Sequence, residues 1–167
     1  MSTISAVVCT KNSVASIERC LISLKEASVD QIIVVDAHST DGTTQVAEQL
    51  ADVVLMDEGE GLGAARNMGI AQTATDYILN FGSDNVIPPS QLNIMRKELE
   101  QGNYDGVSAQ TKIEGSGYLA FGLNAWRQGR FPPGPAAVIG TPTLFRGDQL
   151  RTNPYDEERK FSDDSEL

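Results

Sequence analysis

Two carboxylates stand where an apolar run gives way to a loop. Tyr77-Ile78-Leu79-Asn80-Phe81 reads as a buried strand that stops at Gly82-Ser83, and the next side chain is Asp84. Gln31 to Asp36 is a β-branched run ending on a second acid, followed by Ala37-His38-Ser39-Thr40-Asp41-Gly42-Thr43. An acid just past the carboxyl end of a strand is where open α/β sheets meet their ligands. Carboxylates and hydroxyls there can hold a divalent cation, a ribose, a base or a phosphate. The other reading is a plain polar turn, with Asp41-Gly42 as the bend and Asp36 capping nearby N–H groups. The residues alone leave both open.

A third stretch, Gly59-Glu60-Gly61-Leu62-Gly63-Ala64, fits the dinucleotide pattern G-x-G-x-x-G/A after a strand and before a helix. Two features oppose it. The pattern sits on the third strand–helix unit, not the first, and Asp57, Glu58 and Glu60 crowd the place a pyrophosphate would take. Arg66, a turn further on, is a fixed cation able to reach a diphosphate. His38 is the only imidazole, and a lone His in a turn points to structure before catalysis. Cys9 and Cys20 are not in C-x-x-C spacing and read as buried free thiols.

Holding such groups in place takes a sheet. Ile4 to Cys9 is a short apolar strand, and Asn12 or Ser13 can cap a helix whose Ile17, Cys20, Leu21 and Leu24 share one face. Helices are expected over Thr43–Ala51, Leu62–Thr73 and Ser90–Gln101, with a further strand at Val53–Met56. Four alternations of strand and helix predict a doubly wound, mostly parallel α/β sheet with helices on both faces. Beyond Tyr104 the pattern loosens: strands over 105–110 and 141–145, and a Gly-interrupted helix over 115–128 carrying Tyr118, Phe121 and Trp126. The tail from Asp156 to Leu167 is dense in charge and reads as solvated surface or disorder.

At 167 residues the chain fits a single domain. Acids outnumber bases 23 to 13, a formal charge of -10. That argues against nucleic acid or an anionic membrane as the main partner, and an anionic substrate would need a metal, an arginine or a helix N-terminus. No apolar run approaches a membrane span and no signal peptide opens the chain, so a cytoplasmic location is expected.

The order of several short motifs carries a family resemblance. Val8-Cys9-Thr10-Lys11-Asn12 comes first, then Ile-Ile-Val-Val-Asp36 with Ser39-Thr40-Asp41-Gly42-Thr43. Gly61-Leu62-Gly63-Ala64-Ala65-Arg66-Asn67-Met68-Gly69 follows, then Asp76-Tyr77-Ile78-Leu79 with Ser83-Asp84. The chain resembles the family-2 glycosyltransferases of GT-A fold from about residue 4 to 100. The likeness resumes at Gly140–Arg146 and at Tyr155 through Leu167. The resemblance implies an inverting transfer of a sugar from a nucleotide diphosphate sugar, a UDP-sugar as first guess, to a saccharide or lipid-linked acceptor. It implies Thr10 and Asp36 in the nucleoside pocket, Ser83 beside the nucleotide and Arg66 facing it. Asp84 would be the metal-binding acid of an Asp-x-Asp motif, holding Mg2+ or Mn2+, and Asp164 the base on the acceptor hydroxyl. Residues 1–103 would form the nucleotide-binding part and 104–167 an acceptor-side part that family members usually continue.

Two positions depart from that pattern. Gly82 occupies the place of the first Asp of Asp-x-Asp, and Ala37 that of a second acid on the nucleobase, which leaves the base identity open. Both favour a rival, a catalytically silent nucleotide-sugar binding module of the same fold. A nucleotidyltransferase would want a Gly-rich, basic loop after the first strand, which Cys9–Val14 is not. A dinucleotide oxidoreductase ranks last.

Overall fold

The apolar runs become strands β1 (Ile4–Thr10), β2 (Gln31–Asp36), β3 (Val53–Met56) and β4 (Tyr77–Gly82), joined later by β5 (Gly106–Ser108) and β6 (Thr143–Arg146). The structure, a computed structural model, describes residues 2–130, 132–134 and 140–158. One six-stranded sheet runs in the order β3-β2-β1-β4-β6-β5. The first four strands are mutually parallel. β6 enters antiparallel between β4 and β5, so β5 again points the same way as β1.

Strand order steps from β1 outward to β3 and then returns to the other side of β1 for β4. That reversal makes the β1/β4 carboxyl ends a topological switch point, the crevice where doubly wound sheets bind ligands. The helices are α1 (Ile17–Glu26), α2 (Thr43–Leu50), α3 (Leu62–Ile70), α4 (Pro89–Gln101), α5 (Tyr118–Arg130) and α6 (Gly147–Thr152).

Side chains alternate across the strands and so divide between two cores. Ala6, Val8, Ile32, Val34, Leu79 and Phe81 face Ile17, Leu21 and Leu24 of α1, Ala47 of α2, and Leu92, Met95 and Leu99 of α4. Val7, Ile33, Ile78 and Phe145 face Ile70 of α3, Leu150 of α6 and Tyr155. β2 is buried on both sides, which is why its sequence is an unbroken β-branched run. α3 lies almost on the backbone of the sheet: a Cβ at Gly69 would stand 2.5 Å from Val7 Cγ1, so only glycine permits that approach.

The acidic composition has a structural use at the amino edge of the sheet. Asp30 accepts the Ile4 N–H at 2.8 Å, Asp52 the Ile32 N–H at 2.7 Å, and Asp76 the Thr3 N–H at 2.8 Å. Each acid precedes one strand and ties down the start of its neighbour. The Thr3 amide bond, followed by the Thr3 hydroxyl, holds the Asp76 carboxyl below the ordinary carboxylate range.

Element boundaries differ from expectation in a few places. α1 starts at Ile17 after a turn in which the Ser13 carbonyl accepts the Ser16 and Ile17 N–H groups at 2.9 Å. Asn12 and Ser13 therefore do not cap it; their groups are used by other loops. α3 stops at Ile70 and α4 begins at Pro89. α5 is displaced to Tyr118–Arg130, and α6 was not anticipated.

Candidate active site

The register sets the site. Thr10 pairs with Asp36 across β1 and β2, and Cys9 pairs with Gly82 across β1 and β4. The last residues of the three strands thus form one row on the carboxyl edge, with Ser83 and Asp84 one and two residues further on. With strands about 4.8 Å apart, the row from Asp36 to Gly82 spans roughly 10 Å, about the width of a nucleoside.

Loops from β1, β2 and β4 are stitched together across this row by short polar side chains. Asn12 N–H donates to Ser39 Oγ at 2.8 Å, and Thr40 N–H returns a bond to Asn12 Oδ1 at 2.9 Å. Ser13 N–H donates to Thr43 Oγ1 at 2.7 Å, and the Ser13 and Ser83 hydroxyls meet at 3.1 Å. Val14 N–H donates to Asp41 at 3.0 Å. The hydrogen bond from the Thr43 hydroxyl is the main reason the Asp41 carboxyl is held below its usual range.

Asp36 is 0% exposed, and its carboxylate accepts from Ser39 N–H, the Ser39 hydroxyl and the Thr44 hydroxyl. A buried carboxylate needs such donors. Its immediate partners are therefore its own loop, and its place on the edge comes with that role. Thr10 is the contrary case. It is 6% exposed, and among the described residues its Oγ1 has no hydrogen-bond partner.

On the β4 side Asp84 is exposed at the tip of its turn. An ideal Cβ on Gly82 would lie 3.0 Å from Asp84 Oδ1 and 2.9 Å from Asn85 Nδ2, so position 82 points its side-chain direction at the Asp84 carboxylate. Beneath the turn, Cys20 Sγ donates to the Gly82 carbonyl at 3.5 Å. Burial, and then the Asp84 charge, push the Cys20 thiol up to about 12, so it stays protonated and inert at neutral pH. Cys20 is buried and Cys9 half-buried, and neither is in a disulfide.

Arg66 stands one turn into α3, the helix that packs on β1 and β2. Its guanidinium carbon stands 5.0 Å from the centroid of the Tyr155 ring, and the side chain is buried. Tyr155 is itself clamped. Tyr155 N–H donates to Asn67 Oδ1 at 2.9 Å, Asn67 Nδ2 donates to the Tyr155 carbonyl at 2.8 Å, and Asn80 Nδ2 donates to the Tyr155 hydroxyl. The clamp brings residues 155–157 over the start of α3, where a Cβ on Gly63 would meet the Asp156 carbonyl at 3.0 Å.

The family's sequence model, described as glycosyl transferase family 2, matches residues 5–153. The chain belongs to glycosyl transferase family 2. It is 39% identical over 84 residues to an uncharacterized glycosyltransferase of Rickettsia felis, covering 50% of this chain and 29% of the relative. To the putative glycosyltransferase EpsH of Bacillus subtilis it is 34% identical over 93 residues, 52% of this chain and 27% of EpsH. The chain thus spans under a third of the length of these curated relatives. Among solved structures it matches the mannosyltransferase PcManGT of Pyrobaculum calidifontis in complex with GDP-Man and Mn2+, with a TM-score of 0.75 and 19% identity. That match covers 98% of this chain and 50% of PcManGT. S. aureus TarS 1-349 in complex with UDP-GlcNAc matches with a TM-score of 0.71 and 22% identity, covering 98% and 51%. Likeness at these identities is likeness of fold, and the fold is GT-A.

Within this family-2 domain the structure gathers Thr10, Asp36, Ser83 and Asp84 on one edge, while Arg66 lies on α3 against Tyr155. Asp164 lies outside the described residues. His38 has a structural place: its φ is 55°, and Nε2 donates to the Asp57 carbonyl at 2.9 Å, joining the loops after β2 and β3. The Gly59–Gly61 loop follows β3, the edge strand, and so stands away from the switch point. The Tyr155 clamp went unread in the sequence, although Asn80 offered a signal as the one polar residue within a buried apolar run. A cleft of about 910 Å3 lies elsewhere, beside β5 and β6, with Tyr104, Phe145, Leu150, Asn153 and Tyr155 among its walls.

Among the described residues no group of three or more His, Cys, Asp or Glu stands together. The donor set still fits a hard divalent cation that is shared with a diphosphate. Such an ion is often held by one or two carboxylates, with phosphate and water oxygens completing the shell. Asp84 is the exposed acid available for that.

Proposed function

We propose that this is the nucleotide-binding part of an inverting glycosyltransferase, which moves a sugar from a nucleotide diphosphate sugar to an acceptor hydroxyl. The observation that carries it is the buried Thr10 hydroxyl at the switch point, which has no partner among the described residues; Thr10 pairs in register with Asp36, and its neighbour Cys9 with Gly82. A buried hydroxyl without a partner costs about 1–3 kcal/mol. Turned about χ1 towards the crevice, the hydroxyl would find the missing bond on a nucleoside. Complexes of fold neighbours with UDP-GlcNAc, or with GDP-Man and Mn2+, support this class of donor.

In this proposal Asp36 shapes the nucleoside pocket by holding its loop, and Ser83 lines the diphosphate side. Arg66, oriented by Tyr155, offers its guanidinium to phosphate oxygens. Asp84 would hold Mg2+ or Mn2+, whose charge would offset that developing on the leaving diphosphate. The acceptor oxygen attacks the anomeric carbon from the face opposite the diphosphate, the carbon–oxygen bond to the phosphate breaks, and its electron pair leaves with the diphosphate. Asp164 would take the acceptor proton. Residues 1–103 would serve the donor and 104–167 the acceptor, with the cleft beside β5 and β6 on the acceptor side. Among the described residues no helix is long and apolar enough to cross a membrane.

The silent binding module keeps a specific footing, because Gly82 offers no carboxylate and that of Asp36 is already engaged in its own loop. Thermal shifts with UDP, GDP and NAD, each with and without manganese, separate the readings. A nucleoside diphosphate with manganese is expected to stabilise the protein, by about 2.7 kcal/mol at a hundred times its dissociation constant. NAD should do nothing. Stabilisation indifferent to manganese would favour the silent module, and none with any nucleotide would end both.

Thr10→Val tests the carrying observation on its own. The unliganded protein is expected to gain about 1 kcal/mol in urea denaturation, because the orphan hydroxyl is gone. Nucleotide affinity should fall. A variant that loses stability would mean that the hydroxyl is already satisfied within the protein.

A further inference from the structure

Asparagine in a turn has two ordinary structural uses, a left-handed backbone and a side-chain bond to a nearby amide. Asn85 shows neither. Its φ is not positive, and among the described residues its side chain makes no hydrogen bond. The amide is directed back over Gly82 instead. A Cβ at position 82 would stand 2.9 Å from Asn85 Nδ2 and 3.0 Å from Asp84 Oδ1, so the two polar groups flank the one space that a side chain there would fill. Asn85 is half-buried and Asp84 exposed. The backbone that presents them is held on several sides. The Gly82 carbonyl accepts the Asn85 N–H at 3.0 Å and the Cys20 thiol at 3.5 Å. Ile87 N–H donates to Ser23 Oγ at 3.2 Å, and the Ser83 hydroxyl meets that of Ser13 at 3.1 Å. A tethered turn with two untethered polar tips is arranged for a ligand.

We propose that Asn85 supplies the second oxygen of the cation site, and that glycine at position 82 is what makes room for it. The role presupposes that Asp84 holds the cation, as in the transferase proposal. Hard divalent cations accept amide carbonyl oxygens alongside carboxylates. A half-turn about the last side-chain bond sets Oδ1 where Nδ2 stands, and that torsion is broad and two-fold. Among the described residues no hydrogen bond of the Asn85 side chain opposes the turn. A neutral ligand also changes the charge of the site. Two carboxylates would neutralise a divalent ion. One carboxylate and an amide leave it a net positive charge, which is then available to the diphosphate. The glycine that departs from Asp-x-Asp is on this account no missing ligand. It is the space into which the next ligand along the turn folds back.

Calorimetric titration of manganese into the protein at saturating UDP reads the site. Asn85→Ala is expected to weaken manganese binding by at least about tenfold, while the thermal midpoint and the affinity for UDP without metal stay unchanged. Asn85→Asp should tighten manganese in the absence of UDP and reduce the cooperation between the two, because the added carboxylate neutralises the ion. Gly82→Ala removes no polar group, yet its methyl would displace the amide. It should therefore weaken manganese too, and by much less once residue 85 is already alanine. Asp84→Asn, run beside these variants, separates the two readings. If Asp84→Asn loses manganese and Asn85→Ala does not, Asp84 holds the ion without Asn85, and the role given to Asn85 is overturned on its own. If neither variant loses it, the cation site of the transferase proposal falls and takes Asn85 with it. Equal losses from Gly82→Ala with and without the Asn85 amide would mean that the glycine serves the backbone, which overturns the pairing of the two positions.

Discussion

Asp84→Asn is expected to abolish the cooperation between manganese and a nucleoside diphosphate. In the wild type each should bind weakly alone and at least about tenfold more tightly with the other, a coupling of about 1.4 kcal/mol or more. The reason is the scarcity of carboxylate at the β4 turn. With glycine at position 82, only Asp84 is left of a possible pair, so the nucleotide must supply much of the shell. Asparagine keeps the shape and removes the charge. The reciprocal variant is informative because position 82 is already aimed: its Cβ would fall 3.0 Å from Asp84 Oδ1, and the backbone there is not left-handed. The atoms it would crowd are ends of the Asp84 and Asn85 side chains, which can move aside. Gly82→Asp should therefore fold and bind manganese without nucleotide. Isothermal calorimetry on the three proteins checks this. An Asp84→Asn protein that binds both ligands as the wild type does would make Asp84 a turn residue.

Asp36→Ala is expected to cost about 3 kcal/mol of stability even with no ligand present. Removing the buried carboxylate leaves one N–H and two hydroxyls, all on half-buried residues, to find new acceptors, and leaves a cavity where the carboxylate was. Each unsatisfied buried donor costs about 1–3 kcal/mol. Asp36→Asn should recover part of the loss, since one oxygen remains while the new amide faces donors. Urea denaturation with an unchanged slope is the measurement. Full stability with impaired nucleotide binding would move Asp36 from scaffold to ligand contact.

The parallel half of the fold was legible because burial on both faces forces unbroken β-branched strands, as in Gln31–Asp36, and because turns such as Asp41-Gly42 announce themselves. The edge acids were legible as positions. Their environments were not: Asp36 is buried by Ser39 and Thr44, whose hydroxyls suit a ligand equally well on paper. β6 was legible as a strand but not as one inserted between β4 and β5, because partner choice depends on residues far apart in the chain. The seating of α5 shows the same limit. Periodicity identifies a helix, whereas its inward stripe was chosen by Asn124 and Arg127 finding partners on Ile113 and Thr111 of the preceding segment.

The inserted β6 also bears on how the chain is made. β4 ends at Gly82 and its outer neighbour begins at Thr143, roughly 60 residues later. At about 5–20 residues per second, a ribosome leaves that edge open for roughly 3–12 s. During this interval the nascent β4, with Tyr77, Ile78, Leu79 and Phe81, offers a row of unpaired amides and carbonyls to any passing strand. Translation speed and chaperone supply, more than the final stability, should therefore govern how much folded protein a cell obtains.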